Sequence, residues 1–157
     1  MNEQHLAYLN LGSNIQPEVN LPQAVKLLSQ YGEIQKVSNV WESEAVGTEG
    51  PNYLNVCLAL NSPFSQKDLK EAVIQSIETQ LGRVRTADKY APRPMDIDIV
   101  LFDNALVTES GWELAYVMVP LAELYPEYRN PLTGESTLEK ATRLRREVWL
   151  EARQGIL

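Results

Sequence analysis

Residues 92–98 read PRPMDID, a fixed cation held between two prolines and followed by two acids at a spacing of two. On an extended segment side chains alternate, so Asp96 and Asp98 share one face while Ile97, Ile99 and Leu101 share the other. Same-face neighbours on a strand lie roughly 7 Å apart. That separation suits two carboxylates gripping divalent ions roughly 4 Å from each other. Alone, the pair reads as readily as two solvated acids on a half-exposed strand. The residues just before it shift the balance. Arg83, Arg85, Lys89 and Arg93 fall within eleven residues of a chain whose net charge is −7. Arginine forks match phosphate oxygens two at a time. Mg²⁺ bridging carboxylates and phosphates is the usual geometry of ATP sites. Pro92 and Pro94 stiffen the backbone on both sides of Arg93 and so hold its guanidinium at reduced entropic cost. The stretch therefore reads as a preorganised clamp for a polyphosphate and its metal. The aperiodic loop over 83–91 is placed to close over a nucleotide.

Several other chemistries are excluded. The chain has one histidine, His5, and one cysteine, Cys57. Neither a Ser-His-Asp nor a Cys-His nucleophile fits, and neither a multi-histidine metal site nor a disulfide can be built. Cys57, inside the apolar run VCLAL, reads as a small core residue. There is no Walker A pattern, kinase glycine-rich loop or GxGxxG. The acidic balance argues against nucleic acid as a partner. Apolar runs are too short to span a bilayer, and MNEQHLAYLN lacks the features of a signal peptide. A cytoplasmic protein with no membrane partner is expected.

The elements that must position these residues follow from periodicity and punctuation. LAYLNLGSN, Leu6 to Asn14, reads as a buried strand ending in a Gly-Ser-Asn turn. Asn20 is placed to cap a helix beginning LPQAVKLL, with Leu21, Ala24, Val25 and Leu28 on one face. Strand character runs from Ile34 to Trp41, and YLNVCLAL, Tyr53 to Leu60, is a strand. GTEGPN, Gly47 to Asn52, is a turn-rich loop between them. Ser65 caps a helix with Leu69, Val73, Ile77 and Leu81 on its apolar face, and Gly82 ends it. MDIDIVLF is a further strand. The last third is less periodic, with EKATRLRREVWLEA as a final helix or strand. The order predicts an α+β fold, a ferredoxin-like βαββαβ sandwich with a C-terminal extension, as one domain over residues 1–157.

The motifs LGSN, GPNYLNV, IETQLGRVR and KYAPRPMDIDIVLF, with VPLAELYPEYRNP further on, resemble the 6-hydroxymethyl-7,8-dihydropterin pyrophosphokinase family of folate biosynthesis. The similarity runs from about Ala7 to Phe102 and resumes near Val119 to Pro131. The resemblance implies a monomeric enzyme with a ferredoxin-like core. It implies transfer of pyrophosphate from ATP, as co-substrate, to the pterin hydroxymethyl group, giving AMP, with two Mg²⁺ ions. It makes Asp96 and Asp98 the metal ligands, and Arg83 and Arg93 phosphate-binding, with Arg85 and Tyr90 in a catalytic loop. It places Glu78 near the nucleotide. It gives the pterin Asn55 as hydrogen-bonding amide, Tyr53 and Tyr116 as an aromatic sandwich, and backbone groups at Ala45, Val46 and Gly47. The residues leave blander roles open: Glu78 as partner of a helix-surface cation, Tyr116 as core, and Gly12 to Asn14 as a plain turn.

The chain also departs from the family pattern. The interval Asp103 to Val119 lacks the Pro-His and later arginine that contact ATP phosphates in the family, and no basic residue occurs from Pro94 through Tyr128. Two alternatives to a full enzyme follow. One is a pterin-binding paralogue with weakened or lost catalysis. The other is an assembly module with Trp112 to Val119 as an apolar contact surface.

Overall fold

A computed structural model describes residues 3–45, 50–84 and 91–157. Alternation of apolar residues in opposite directions along each strand makes a sheet that must be covered on both faces. Strands β1 (His5–Ser13), β4 (Tyr53–Ser62) and β5 (Asp96–Phe102) form its centre, all antiparallel. The sheet order is β6-β5-β1-β4-β3-β7, where β3 is Val40–Ser43, β6 is Ala105–Leu106 and β7 is Leu150–Arg153. A further strand, β2 (Glu33–Val37), pairs with the far half of β4. The four central positions are those of the ferredoxin-like α+β fold.

Ala7, Leu9, Leu11, Leu54, Val56, Leu58 and Leu60 face one side of the sheet. There they meet α1 (Pro17–Leu28) and a rod over 66–80. The rod joins α2 (Gln66–Asp68) to α3 (Gln75–Gln80) through a π-helical stretch, Leu69–Ile74. Its buried row recurs every four residues at Leu69, Val73 and Ile77. Such a row drifts around a turn of 3.6 residues, and the wider π turn offsets the drift. Ser65 caps the rod by accepting from the Asp68 N–H at 3.2 Å, and Gly82 ends it at φ +96°. Tyr8, Cys57 and Ala59 face the other side, under α4 (Ala115–Leu124) and α5 (Thr137–Arg145).

Five sequence expectations are corrected. The first helix starts at Pro17, because Gln16 takes a left-handed conformation ahead of it. Asn20 lies inside that helix and donates to the Ile15 carbonyl at 2.6 Å instead of capping. The strand over Ile34 to Trp41 is two strands, parted where the Ser38 hydroxyl accepts from the Cys57 N–H at 2.9 Å. Gly12 and Ser13 are strand residues and not a turn. Leu101 does not share a face with Ile97 and Ile99. Tyr8 pairs with Leu101 and Leu9 with Ile99, so Val100 is an extra residue, and the bulge turns Leu101 toward α4. Finally, Trp112, Val117, Met118 and Val119 are core residues, not an exposed contact surface. The terminal segment left open as helix or strand contains both, α5 and then β7.

Candidate active site

The α4-facing side of the sheet is apolar at one end and polar at the other. The polar end comes from rows running across three strands. Gly12 on β1 pairs with Asp96 on one neighbour and with Asn55 on the other. The next row carries Asp98, Asn10 and Cys57. Gly12 is the low point of this floor. A Cβ there would stand 2.8 Å from Asn55 Oδ1, closer than packed atoms approach. Over the floor lies a cavity of about 280 Å³ whose walls include Tyr53, Ser43, Arg93, Tyr116 and Leu114.

Two clamps shape the charged end. The Asn14 side chain accepts from the Arg93 N–H at 2.7 Å, and the Asn14 N–H donates to the Arg93 carbonyl at 3.1 Å. With Pro92 and Pro94 on either side, this fixes the backbone from which the Arg93 guanidinium reaches Asp96 at 3.2 Å. Behind the cavity, Glu78 is 3% exposed. Its Oε2 accepts from the Ile97 N–H and from Arg83, both at 2.8 Å. Arg83, its side chain 9% exposed, also donates to Asp96 Oδ1 at 2.9 Å. Glu78 and Arg83 thus tie the rod to the first residues of β5. They stand in the second layer behind Asp96, outside the cavity lining.

Asp98 differs from Asp96. It lines the cavity and is exposed through the cavity's opening, more so than Asp96. Burial, and then the charges of Asp96 and Glu78, push its pKa up to about 6. The consequence for stability has a definite sign. An unfolded aspartate titrates near pH 3.9, so the folded state holds this proton more tightly. That contribution is complete below about pH 4 and is lost as pH rises through about 6. In chelator-treated protein, Asp98→Asn is therefore expected to raise Tm at pH 8 by roughly 2–4 °C and to leave it nearly unchanged at about pH 3.5. The figure corresponds to about 1 kcal/mol, reduced from the full linkage value because the carboxyl touches solvent. Scanning calorimetry at the two pH values checks it; equal shifts at both contradict it.

The donor set fits a divalent ion of the Mg²⁺ kind. Among the described residues no three acids, histidines or cysteines cluster as a metal site. Asp96 and Asp98 would supply two carboxylates, leaving other positions to phosphate and water, as Mg²⁺ prefers. Burial raises the phenols of Tyr53 and Tyr116, so both rings stay neutral at the cavity wall. Asn55 Nδ2 donates to Ser43 Oγ at 2.8 Å, which fixes the amide with its oxygen toward Gly12.

The structure thus brings Tyr53, Asn55, Arg93, Asp96, Asp98 and Tyr116 around one cavity. Ala45 is half-buried beside Glu44, which lines the cavity. Val46, Gly47, Arg85, Lys89 and Tyr90 lie outside the described residues. His5 is at the other end of β1, paired with Asp103 at 2.6 Å. Sequence reasoning missed Asn10, Gly12 as cavity floor, Ser43 and the clamp by Asn14. For Asn10 a signal existed: a lone amide within the otherwise apolar run of β1.

The family described as 7,8-dihydro-6-hydroxymethylpterin-pyrophosphokinase (HPPK) matches residues 8–126. The chain belongs to the HPPK family. The matched stretch holds every cavity residue named above, while α5 and β7 lie beyond it. A Synechocystis protein named 2-amino-4-hydroxy-6-hydroxymethyldihydropteridine pyrophosphokinase is 31% identical over 146 residues, covering 86% of this chain and 74% of that one. A Bacillus subtilis protein of the same name is 32% identical over 152 residues, covering 89% and 90%. The fold matches that of Plasmodium falciparum HPPK-DHPS with pteroate, at a TM-score of 0.72 and 11% identity. That match spans 94% of this chain and 43% of the larger one. HPPK membership and the ferredoxin-like architecture agree with the motifs PRPMDID and LGSN. Among the described residues no helix is long and apolar enough to cross a membrane.

Proposed function

We propose that this chain transfers the pyrophosphoryl group of ATP to the hydroxymethyl oxygen of 6-hydroxymethyl-7,8-dihydropterin, giving AMP, as a step of folate biosynthesis. The observation that carries the reading is the convergence of two same-face carboxylates, a clamped arginine, an anchored amide and two neutral tyrosines on one cavity.

Tyr53 and Tyr116 take the faces of the flat pterin ring. Asn55, held by Ser43, offers its oxygen to the ring's N–H edge. Asp96 and Asp98 would hold the two Mg²⁺ ions that the family resemblance implies, which would supply charge neutralisation at the phosphates. Arg93 turns from Asp96 toward the donor's phosphate oxygens, and Arg83 keeps Asp96 in place from behind. Arg85 and Tyr90 are assigned to the nucleotide by the family resemblance alone. The hydroxymethyl oxygen attacks the β-phosphorus. The bond from that phosphorus to the α,β-bridging oxygen breaks, AMP leaves with the oxygen, and the hydroxyl proton passes to water. Positioning and electrostatics account for the acceleration, so no histidine base is needed.

Gly12→Val tests the pterin half. The added carbons displace Asn55 from the floor, and pterin affinity is expected to fall on the order of tenfold or more. A fluorescence titration reads this, and unchanged affinity contradicts the assignment of Asn55.

One observation favours a second reading, a pterin-binding paralogue with weak or no catalysis. Among the described residues Arg93 is the only cation lining the cavity, and no basic residue follows it before Arg129. Calorimetry separates the two. Binding of both the pterin and Mg²⁺ with a non-hydrolysable ATP analogue supports the enzyme. Binding of the pterin alone supports the paralogue.

A further inference from the structure

Asn10 stands in the row with Asp98, one step below Gly12 and Asn55, and its side chain forms part of the cavity floor. The residue is 3% exposed, and its Oδ1 has no hydrogen-bond partner. Among buried side-chain atoms of the described residues it is the one left so. Folding does not leave a buried amide oxygen unpaired without compensation, because its lost hydration is unrecovered. An apolar residue at this strand position would pack against Cys57 and Val100 without that cost. The polar neighbours do not use the amide either. Asn55 is committed to Ser43, and both Asp96 oxygens face arginines. Rotation about Cβ–Cγ swings the oxygen between the protein and the cavity, so a ligand donor can meet it.

The donor's identity follows from the position. Asn55 and the tyrosines define the ring end of the cavity, and Asp96 and Asp98 the reacting end. Asn10 lies on the middle strand between the two ends, neighbour of Asp98 on one side and Cys57 on the other, where an arm joining the ring to the reacting oxygen must pass. We propose that Asn10 Oδ1 accepts a hydrogen bond from the O–H of the ligand's hydroxymethyl arm. Asn10 is then a binding residue that selects a hydroxylated arm and holds its oxygen beside the two aspartates. This inference rests on the pterin reading above and adds a specificity determinant to it. A site built to pair with a hydroxyl discriminates against the analogue lacking it, because the site's own polar group is otherwise left unpaired.

The test uses wild type, Asn10→Leu and Asn10→Ala with two ligands, 6-hydroxymethyl- and 6-methyl-7,8-dihydropterin. Dissociation constants come from calorimetry and Tm from thermal scans of the same samples. Wild type is expected to prefer the hydroxymethyl ligand by on the order of tenfold. Both variants are expected to lose that preference while binding the methyl ligand as before. Asn10→Leu is expected to keep or raise Tm, since an unpaired buried acceptor is gone; Asn10→Ala carries the test if the leucine does not fit. A preference that survives in the variants, or an equal loss for both ligands, overturns the proposal. So does a wild type that binds both ligands alike, which would leave the pterin site itself standing. A wild type that binds neither ligand overturns the pterin reading and this inference with it.

Discussion

Asp98→Ala is expected to lower the rate of AMP formation about a thousandfold or more while leaving the fold intact. The two effects separate because, among the described residues, no side-chain hydrogen bond or ion pair holds Asp98, unlike Asp96. Its carboxyl faces the cavity, and its neighbours push its pKa up to about 6, a sign that its charge is unfavourable there without a cation. Removing one preorganised electrostatic group from a group-transfer site typically costs 10²- to 10³-fold, about 3–4 kcal/mol of barrier. Here the upper end is expected because Asp98 is proposed to hold a metal ion that would neutralise phosphate charge. Asp96→Ala is the informative contrast. It would remove the other proposed metal ligand, and it also strips Arg83 and Arg93 of a shared counter-charge. It should lose both activity and stability. Initial rates from chromatographic AMP assays, with Tm alongside, distinguish the pair. An Asp98→Ala enzyme within tenfold of wild type contradicts the metal assignment.

Glu78→Ala is expected to be the most destabilising single change at the site. It leaves the Arg83 guanidinium, 9% exposed, with only the shared carboxylate of Asp96 among the described acids, and it deprives the Ile97 N–H of its acceptor. Breaking a buried ion pair from one side costs about 3–5 kcal/mol, because the remaining charge stays out of water. For a chain of this length that is roughly 10 °C in Tm. Adding Arg83→Met to Glu78→Ala removes the stranded charge and should recover a substantial part of the loss. A Tm fall under about 2 °C in the single variant, or no recovery in the double, contradicts the buried-pair account. Activity should fall as well, since Ile97, whose N–H Glu78 holds, lies between the two aspartates of β5.

Much of the site was legible because it lies along short stretches. Alternation alone put Asp96 and Asp98 on one face of their strand. Ser65 and Gly82 marked the rod's ends through cap chemistry that acts within four residues. The illegible features share a cause: each depends on a partner far along the chain. Asn14 reads as a turn residue until Arg93 comes within 2.7 Å, 79 positions away. Glu78 reads as a helix-surface acid until β5 packs over it. Leu101 follows the strand's alternation on paper, yet the bulge at Val100 is set by pairing with β1. Asn20 has a capping side chain, but Gln16 turns the backbone earlier and redirects that amide inward to Ile15. The apolar run from Trp112 to Val119 looked like a contact surface because its cover, α5, is a weakly periodic segment. The resemblance to HPPK sequences supplied residue roles that alternation and capping do not reach, among them Tyr116 at the cavity wall.

The central claim is that the acids on β5 and the cavity beside them move a two-phosphate unit in one step. Phosphorus NMR of a mixture of the protein, Mg²⁺, ATP and 6-hydroxymethyl-7,8-dihydropterin reads this directly. The account predicts AMP and a pterin diphosphate ester appearing in equal amounts, with both dependent on Mg²⁺. Formation of ADP with a monophosphate ester, or ATP unchanged beside bound pterin, would contradict it.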